Sequence, residues 1–372
     1  MTTRTEIGLQ GIGVAAPAGA LDQEAAIEIA AERCCRTERQ RTWLRRIYRH
    51  SEVRRRGSVL LRSGEVTGES TVEDAAGFEA FYPPPASPDD RGPTTATRLR
   101  RYVEEAGPLA EAACRAALSD AGTDPVAITH VVTVSCTGLM SPGLDVELIQ
   151  RLGLSPDVGR LNLGFMGCHG ALNGLRTAGA LSQAVDARVL LCCVELCSLH
   201  FQYGWETQKV IANGLFADGA GAAMLGPDAR EGDWRLVDTA SRLAQASDDA
   251  MTWRIGDHGF EMTLSSEVPR LIRGSIRAWL EQWLAGHGMT ISDVAHWAIH
   301  PGGPEILSAA TQALALPEEA GSVSASVLAE HGNMSSPTVL FVLKRLRERR
   351  ASGPCVVLGF GPGLSLEAAL LR

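Results

Sequence analysis

The feature that most constrains this chain is an internal repeat, in which three pairs of segments recur at almost one spacing. The members of each pair are 165 or 166 residues apart, and they begin at Ile128 and Val294, Val189 and Cys355, and Gly167 and Gly332. Each pair matches in its pattern of apolar residues and turn formers. Three separate pairs at one spacing predict two copies of a single structural unit.

The periodicity of apolar residues indicates the kind of unit that is repeated. Short apolar runs such as DARVLLCCVEL alternate with longer helical patterns such as VPRLIRGSIRAWLEQWLAGHG. This alternation predicts an α/β fold built in layers. Turn formers and charges interrupt the apolar pattern near Gly226 to Asp233, so we expect one half at residues 1–228 and the other at 229–372. The Pro-, Asp- and Gly-rich residues 63–93 are predicted to run over the surface.

The charge balance excludes several classes of partner. A net charge of -8 and a pI near 5.7 provide no overall attraction to nucleic acid or to an anionic membrane. The sequence begins without an apolar signal core, and no later segment is long and apolar enough to span a bilayer. We therefore expect a cytoplasmic protein that binds neither nucleic acid nor membrane.

The cysteines indicate free thiols rather than disulfides or a metal site. There are nine of them, an odd number, and most lie within apolar runs. The adjacent pairs Cys34/Cys35 and Cys192/Cys193 have no second pair at the spacing that a zinc site needs. We expect no metal.

One of these cysteines lies where chemistry is favoured. Cys168 follows an apolar strand that turns at Gly167 into a Gly/Ala-rich helix. A thiol at a helix N-terminus meets unsatisfied N–H groups and the positive end of the helix dipole, which lower its pKa and favour the nucleophilic thiolate. The small residues around it leave room for an acyl group. The alternative interpretation is a buried structural cysteine.

Two more candidates lie in the second half. His300 ends the apolar strand HWAIH, and Pro301 then turns the chain out of the sheet. The carboxyl end of a strand in an α/β sheet faces the crevice where such sheets bind ligands. Asn333 lies at a loop-to-helix junction, where its alternative role is a helix cap or a turn.

The repeat connects these residues. Cys168 and Asn333 occupy equivalent helix starts, so a pseudo-dyad would bring them face to face, with His300 at a strand end between them. A Cys/His/Asn set without a metal suits acyl transfer followed by decarboxylation. The thiol takes up an acyl group, while the imidazole and the amide hydrogen-bond a malonyl thioester and the enolate that it forms.

At these residues the chain resembles the chalcone synthase superfamily, the type III polyketide synthases, and especially its bacterial branch. GFMGCHGA resembles the nucleophile motif, AIHPGG the histidine motif, HGNMSSPTV the asparagine motif and GFGPGLSLE the C-terminal signature. The likeness covers nearly the whole chain. It implies a thiolase-like fold, with a duplicated α/β unit in α/β/α/β/α layers. It also implies a homodimer that uses acyl- and malonyl-coenzyme A as substrates and needs no other cofactor.

The resemblance also implies roles for residues around the site. Phe216 matches the gatekeeping phenylalanine between coenzyme A tunnel and cavity, Met262 stands where the family has a second aromatic, and His169 is not the usual residue after the nucleophile. By position, Arg46 and His50 resemble the residues that hold coenzyme A phosphates. Cavity positions by motif are Cys136, Thr137, Cys197, Leu199, His200, Trp253 and Ser335, each of which core packing would also explain.

Several alternatives stay open at this point. Within the favoured class, the product is an alkylpyrone or alkylresorcinol from a fatty-acyl starter, or tetrahydroxynaphthalene from malonyl units alone. Ketoacyl synthase III has the same fold and a Cys/His/Asn set, and hydroxymethylglutaryl-coenzyme A synthase is a third relative that needs a glutamate base. A non-enzymatic acyl-coenzyme A-binding scaffold of the same fold is the alternative from another class.

Overall fold

The computed structural model of the protein describes residues 6–61, 76–227, 229–245 and 247–372. The strands of the first half are β1 (Ile7–Ala15), β2 (Ala20–Asp22), β3 (Arg55–Gly57), β4 (His130–Ser135), β5 (Gly159–Gly164), β6 (Val189–Leu196) and β7 (Asp218–Gly226). The helices of the first half are α1 (Gln23–Cys34), α2 (Glu38–His50), α3 (Ala76–Phe81), α4 (Thr95–Ala121), α5 (Leu144–Leu152), α6 (Gly170–Leu181) and α7 (Thr207–Leu215).

The second half contains strands and helices in a matching alternation. Its strands are β8 (Trp234–Leu243), β9 (Met251–Gly256), β10 (Gly259–Leu264), β11 (His296–Ile299), β12 (Cys355–Gly361) and β13 (Ser365–Leu371). Its helices are α8 (Val268–Ala285), α9 (Pro304–Leu314), α10 (Ser322–His331) and α11 (Thr338–Glu348). Single 3-10 turns connect several of these elements.

The largest sheet confirms the duplication. Its strand order is β11-β12-β13-β8-β1-β7-β6-β4-β5. In the first half, β4 is parallel to β6, and β6, β7 and β1 follow in antiparallel order. In the second half, β11 is parallel to β12, and β12, β13 and β8 follow in the same antiparallel order. The two halves are joined where Ile7–Leu9 pairs with Trp234–Leu236.

Helices cover the sheet in three layers, as the thiolase-like fold requires. Helices α6 and α11 form the middle layer, because each contacts strands of both halves. The apolar residues between them and the strands form one core cluster. Helices α4 and α5 cover the outer side of the first half, and α8 and α9 cover the outer side of the second. The expected α/β/α/β/α arrangement is confirmed.

Burial from both sides explains why the central strands are apolar without alternation. All residues of β6 (VLLCCVEL) and of β12 (CVVLGFG) are buried. A strand with helices on both faces has no solvated face to fill with polar residues. The one charged residue of β6, Glu195, therefore needs partners inside the protein.

The boundary between the halves falls close to where the sequence predicts it. β7 ends at Gly226 and β8 begins at Trp234, whereas residue 228, at the predicted boundary, lies outside the described residues. Of the predicted surface excursion at 63–93, residues 63–75 also lie outside them, and residues 83–91 are mostly exposed. None of the helices in the described parts is long and apolar enough to cross a membrane.

Candidate active site

Cys168 lies in the turn between β5 and α6, one residue before the helix cap. Gly167, immediately before it, has φ 78°, a left-handed conformation that favours glycine. This turn directs the chain from the sheet into the middle layer, so the thiol is buried with only 6% of the residue exposed. The predicted placement of the cysteine at a helix start is confirmed.

Asn333 occupies the equivalent place before α11. Gly332 precedes it with φ 72°, a positive φ like that of Gly167. The Asn333 N–H donates to the Leu215 carbonyl and the Asn333 carbonyl accepts from the Ala217 N–H, both at 2.9 Å. The Oδ1 atom of Asn333 accepts from the Ser335 N–H at 2.8 Å. Because this bond identifies the oxygen, the side-chain NH2 group is left as a donor.

His300 follows the last residue of β11, at the carboxyl end of a parallel strand. Its backbone N–H donates to the Leu358 carbonyl at 2.8 Å, which holds it against β12. The side chain is fully buried, and neither ring nitrogen has a hydrogen-bond partner among the described residues. Burial, with a smaller effect from the neighbouring His169, lowers the pKa of His300 to about 3, so the ring is neutral at pH 7.

The thiol of Cys168 is also neutral at rest. Burial raises its pKa to about 11, and the nearby Glu195 adds to the rise. The side chains of Ser335 and Asn333 lie close enough to lower this pKa, but they do not offset burial. The sequence-based expectation of a lowered pKa at this helix start is wrong, because burial outweighs the helix terminus. The structure therefore brings the Cys168 thiol beside the Asn333 side chain, and it buries His300 within electrostatic range of His169, the residue that follows Cys168.

Glu195, at the end of β6, is a buried carboxyl group that the sequence analysis missed. Its Oε2 accepts from the Cys136 N–H at 2.9 Å and the Thr137 hydroxyl at 2.7 Å. Its Oε1 accepts from the Ser336 hydroxyl at 2.6 Å. Burial raises its pKa, and these hydrogen bonds counteract the rise. A glutamate inside the apolar run VLLCCVEL was the signal that could have revealed it.

A narrow cavity of about 70 Å³ opens beside this region. The candidate gatekeepers Phe216 and Met262 both line it. The predicted cavity residues Cys197, His200 and Trp253 line it as well. The backbone of Phe216 forms a parallel β-bridge with Asn333, so this cavity residue lies beside a candidate catalytic residue. Part of the wall is apolar and consists of Leu21, Ala26, Ile29, Leu61, Phe78 and Phe201, whereas the polar or charged residues Arg56, Ser58, Ser198, Gln202, Lys209 and Asn213 also line the cavity.

The remaining predicted cavity residues do not line this cavity. The Cys136 thiol and the Ser335 hydroxyl are in direct contact, with 3.4 Å between Sγ and Oγ. Thr137 is buried, and its carbonyl accepts from Nε2 of His200 at 2.7 Å. Leu199 packs in the core of the first half, and its carbonyl accepts from the buried Arg98 at 2.9 Å. These contacts show that Thr137 and Leu199 lie behind the residues that line the cavity.

The predicted coenzyme A residues lie on the exposed face of α2. Arg49 pairs with Glu24 at 2.9 Å and Arg45 with Glu28 at 3.2 Å, so both charges are neutralised by α1. Arg46 has no carboxylate within ion-pair distance among the described residues, and its guanidinium lies 5.5 Å from the ring centre of the half-exposed Trp43. His50 is exposed and lies 3.5 Å from Glu305. Arg46 is thus an exposed cation of this helix that is available to an anion.

The thiols and the acidic groups form no metal centre in the part of the chain that the structure covers. All nine cysteines are free. No group of three or more histidine, cysteine, aspartate or glutamate side chains in the described ranges could hold a metal ion.

Family models match both halves of the chain. The N-terminal domain of chalcone and stilbene synthases matches residues 79–229, and the C-terminal domain of the same family matches residues 235–372. Together these matches cover most of the chain, including Cys168, His300 and Asn333.

Individual relatives agree with the family models. The chain is 34% identical over 353 residues to a 1,3,6,8-tetrahydroxynaphthalene synthase of Streptomyces peucetius, covering 93% of this chain and 87% of the relative. It is 32% identical over 305 residues to the alpha-pyrone synthesis polyketide synthase-like Pks18 of Mycobacterium tuberculosis, covering 79% and 76%. The crystal structure of PKS-I from the brown alga Ectocarpus siliculosus superposes with a TM-score of 0.90 at 32% identity, covering all of both chains. The chain therefore belongs to the chalcone and stilbene synthase family and is a type III polyketide synthase.

Proposed function

We propose that Cys168 carries the growing acyl chain and that His300 and Asn333 act on the malonyl thioester. In the loading step the Cys168 sulfur attacks the carbonyl of an acyl-coenzyme A starter. The thiol proton passes to His300, the C–S bond to coenzyme A breaks, and the proton leaves with the coenzyme A thiol. The observation that carries this proposal is the convergence of Cys168 and Asn333 at two equivalent helix starts.

The extension step uses the donors that the site leaves free. We propose that the Asn333 NH2 group and a ring N–H of His300 donate to the malonyl thioester oxygen, because Oδ1 of Asn333 already accepts from the Ser335 N–H and neither ring nitrogen of His300 has a partner among the described residues. Carbon dioxide then leaves, and the electrons of the broken bond form an enolate on that thioester. The enolate attacks the acyl group on Cys168, a C–C bond forms, and the cysteine sulfur departs. Repetition of loading and extension, followed by ring closure of the extended chain, produces the polyketide.

The neutral resting state supports this order of events. A neutral His300 can accept the thiol proton during loading, and in the next step it can donate to the developing enolate. Donors fixed in a dry site need little reorganisation when negative charge develops, so they stabilise it more strongly than water does. Because the three steps transfer acyl groups and protons without net oxidation, we propose that the reaction needs no cofactor beyond the coenzyme A thioesters.

Separate assays of loading and decarboxylation test these roles. We expect Cys168→Ala to show no acyl-enzyme by intact mass after incubation with a starter. We expect Asn333→Ala to load normally but to release carbon dioxide from malonyl-coenzyme A about 100-fold more slowly, the usual cost of one such donor. Cys355→Ala is the matched control, because it removes a buried thiol on β12 and should leave both assays unchanged. Loading of Cys168→Ala, or normal decarboxylation by Asn333→Ala, would contradict the assignment.

We also propose that the exposed face of α2 binds the phosphates of coenzyme A. Arginine suits this role because its planar guanidinium forms paired hydrogen bonds with phosphate oxygens. Arg46 retains its full charge for a ligand, whereas Arg45 and Arg49 are held by glutamates of α1. His50 lies one turn further along the same face.

The difference between Arg46 and Arg49 supplies a test. We expect Arg46→Ala to raise the KM for malonyl-coenzyme A about tenfold with little change in kcat, since it removes binding shared by ground state and transition state. Arg49→Ala removes an equal charge from the same helix, and we expect its KM to stay within about twofold of the wild type because Glu24 already neutralises that charge. Equal KM values for the two variants would exclude Arg46 from the phosphate site.

For the starter, we propose a fatty-acyl thioester that is extended to an alkylpyrone or alkylresorcinol. The apolar part of the cavity wall supports this proposal, since a hydrocarbon chain has no polar group to satisfy there. The relatives include an alpha-pyrone synthesis polyketide synthase-like protein and a 1,3,6,8-tetrahydroxynaphthalene synthase. The small volume of about 70 Å³ favours the second candidate, an all-malonyl route to tetrahydroxynaphthalene.

A panel of acyl-coenzyme A starters separates these candidates. We expect products by mass spectrometry from starters of increasing chain length, with malonyl units added to each. Ala26→Phe should block long starters and leave acetyl-coenzyme A turnover within about twofold, because Ala26 lies on the apolar wall. A naphthalene product from malonyl-coenzyme A alone, unaffected by added starters, would favour the second candidate.

We propose that two copies of the chain pair through the edge strand β5. β5 pairs with β4 on one side and ends the sheet on the other. Leu161 on this strand, together with Leu139 and Met166 nearby, is exposed to between 38% and 49%. An exposed, apolar edge strand is a ready surface for pairing with another strand. Light scattering should give twice the 39.6 kDa chain mass, whereas a monomer would contradict the proposal.

The free thiols support the expected location. Nine cysteines without a disulfide are typical of a reducing compartment. On this ground we infer that the protein works in the cytoplasm.

A further inference from the structure

A wide polar groove lies on the surface between the end of α2 and the helices α8, α9 and α10. Its volume is about 950 Å³, whereas the active-site cavity has about 70 Å³. Sites for cofactors and other ligands of that size typically measure about 300–1,000 Å³. The cavity is therefore too small for the nucleotide of a coenzyme A thioester, whereas the groove is large enough.

Two walls of this groove continue into the active centre. Ser266 lines the groove and lies four residues after Met262, which lines the cavity. Pro304 lines the groove and lies four residues after His300. Four residues of chain span at most about 14 Å. A ligand in the groove thus lies close enough to reach the cavity with a flexible arm, as a coenzyme A thioester has to do.

The groove contains an arginine whose charge the fold leaves uncompensated. Of the three arginines on α8, Arg270 pairs with Glu267 at 2.6 Å and Arg277 pairs with Glu281 at 2.8 Å. Arg273 lines the groove, is exposed, and has no carboxylate within ion-pair distance in the ranges that the structure describes. The sequence explains this difference, because the positions three and four residues from Arg273 hold proline, isoleucine and two arginines.

The rest of the groove combines neutral donors with acidic groups. The Ser308 hydroxyl lines it from α9, and His50 lines it from α2. Carboxylates also line it, at Glu52, Glu305 and Glu318. Glu305 lies 3.5 Å from His50, so that carboxylate has a basic neighbour. The acidic groups disfavour an anion where they lie, so the surroundings of the α8 cation are the part of the groove that favours a phosphate.

We propose that Arg273 binds a phosphate of coenzyme A and that the nucleotide lies in this groove, between α2 and α8. The inference rests on the proposed function, because it takes coenzyme A thioesters as the substrates. The planar guanidinium of an arginine donates paired hydrogen bonds to phosphate oxygens. His50 connects the groove with the face of α2 that carries Arg46. Each half of the chain then supplies a cation to the nucleotide.

Substitutions on α8 compare the unpaired arginine with a paired one. We expect Arg273→Ala to raise the KM for malonyl-coenzyme A about tenfold with little change in kcat, since it removes binding that ground state and transition state share. Arg273→Lys should recover most of this loss, because an ammonium group also binds phosphate. Arg270→Ala is the matched control, and its KM should stay within about twofold of the wild type because Glu267 already neutralises that charge. Equal KM values for Arg273→Ala and Arg270→Ala would overturn the inference.

A truncated substrate tests whether Arg273 acts on the nucleotide. Malonyl-N-acetylcysteamine carries the thioester but no phosphate, so we expect the wild type and Arg273→Ala to decarboxylate it with the same kcat/KM. A loss with this substrate as large as the loss with malonyl-coenzyme A would show that Arg273 supports the fold or the chemistry instead. The exposed position of the side chain makes a folding defect unexpected.

Calorimetry with free coenzyme A separates failure of this inference from failure of the proposed function. We expect the Kd to be about tenfold higher for Arg273→Ala than for the wild type, and added salt to weaken binding by the wild type more than binding by the variant. An unchanged Kd would overturn the role of Arg273, whatever the activity of the enzyme. If the Kd rises as expected while Cys168→Ala still loads a starter, the proposed chemistry fails and the phosphate site stands.

Discussion

The buried carboxyl group of Glu195 is the interaction on which the active centre depends. It accepts hydrogen bonds from Cys136 and Thr137, which follow β4, and from Ser336, which precedes α11 in the second half. A carboxyl group without these donors would be strongly destabilising at such depth. The halves therefore have to meet with the loop after β4 and the loop before α11 at hydrogen-bonding distance. That requirement also sets Ser335 and Asn333 beside Cys168.

The burial that makes Glu195 require hydrogen-bond donors also determines the charge of Cys168 and His300. Burial moves the pKa of Cys168 up and that of His300 down, so both groups are uncharged before substrate arrives. An ion pair at rest would occupy the imidazole to which we assign proton acceptance during loading and hydrogen bonding during extension. A neutral ring can first accept a proton and later donate a hydrogen bond. The enclosure thus suits a site that carries out two different steps with one set of side chains.

The sequence predicted the repeat and the turns that carry the candidate residues better than it predicted the buried hydrogen bonds and pKa values. The repeat spacing reappears as β4 with β11 and β6 with β12, and Cys168, His300 and Asn333 lie in the predicted turns. Glu195 was missed because a single carboxyl in an apolar run becomes meaningful only when its donors, 58 and 141 residues away, are known. The pKa of Cys168 was predicted in the wrong direction for the same reason. A helix start is local, whereas burial is produced by both halves together.

Duplication by itself would produce two equivalent centres, and the structure shows why there is one. Gly167 and Gly332 both have a positive φ before a middle-layer helix, so each half can present a side chain in the turn ahead of that helix. His300, however, has an apolar counterpart: the residue 166 positions earlier is Val134, which is 1% exposed and packs against the start of α6. An imidazole there would have to displace that packing. The candidate thiol therefore comes from one half, and the candidate amide and imidazole come from the other.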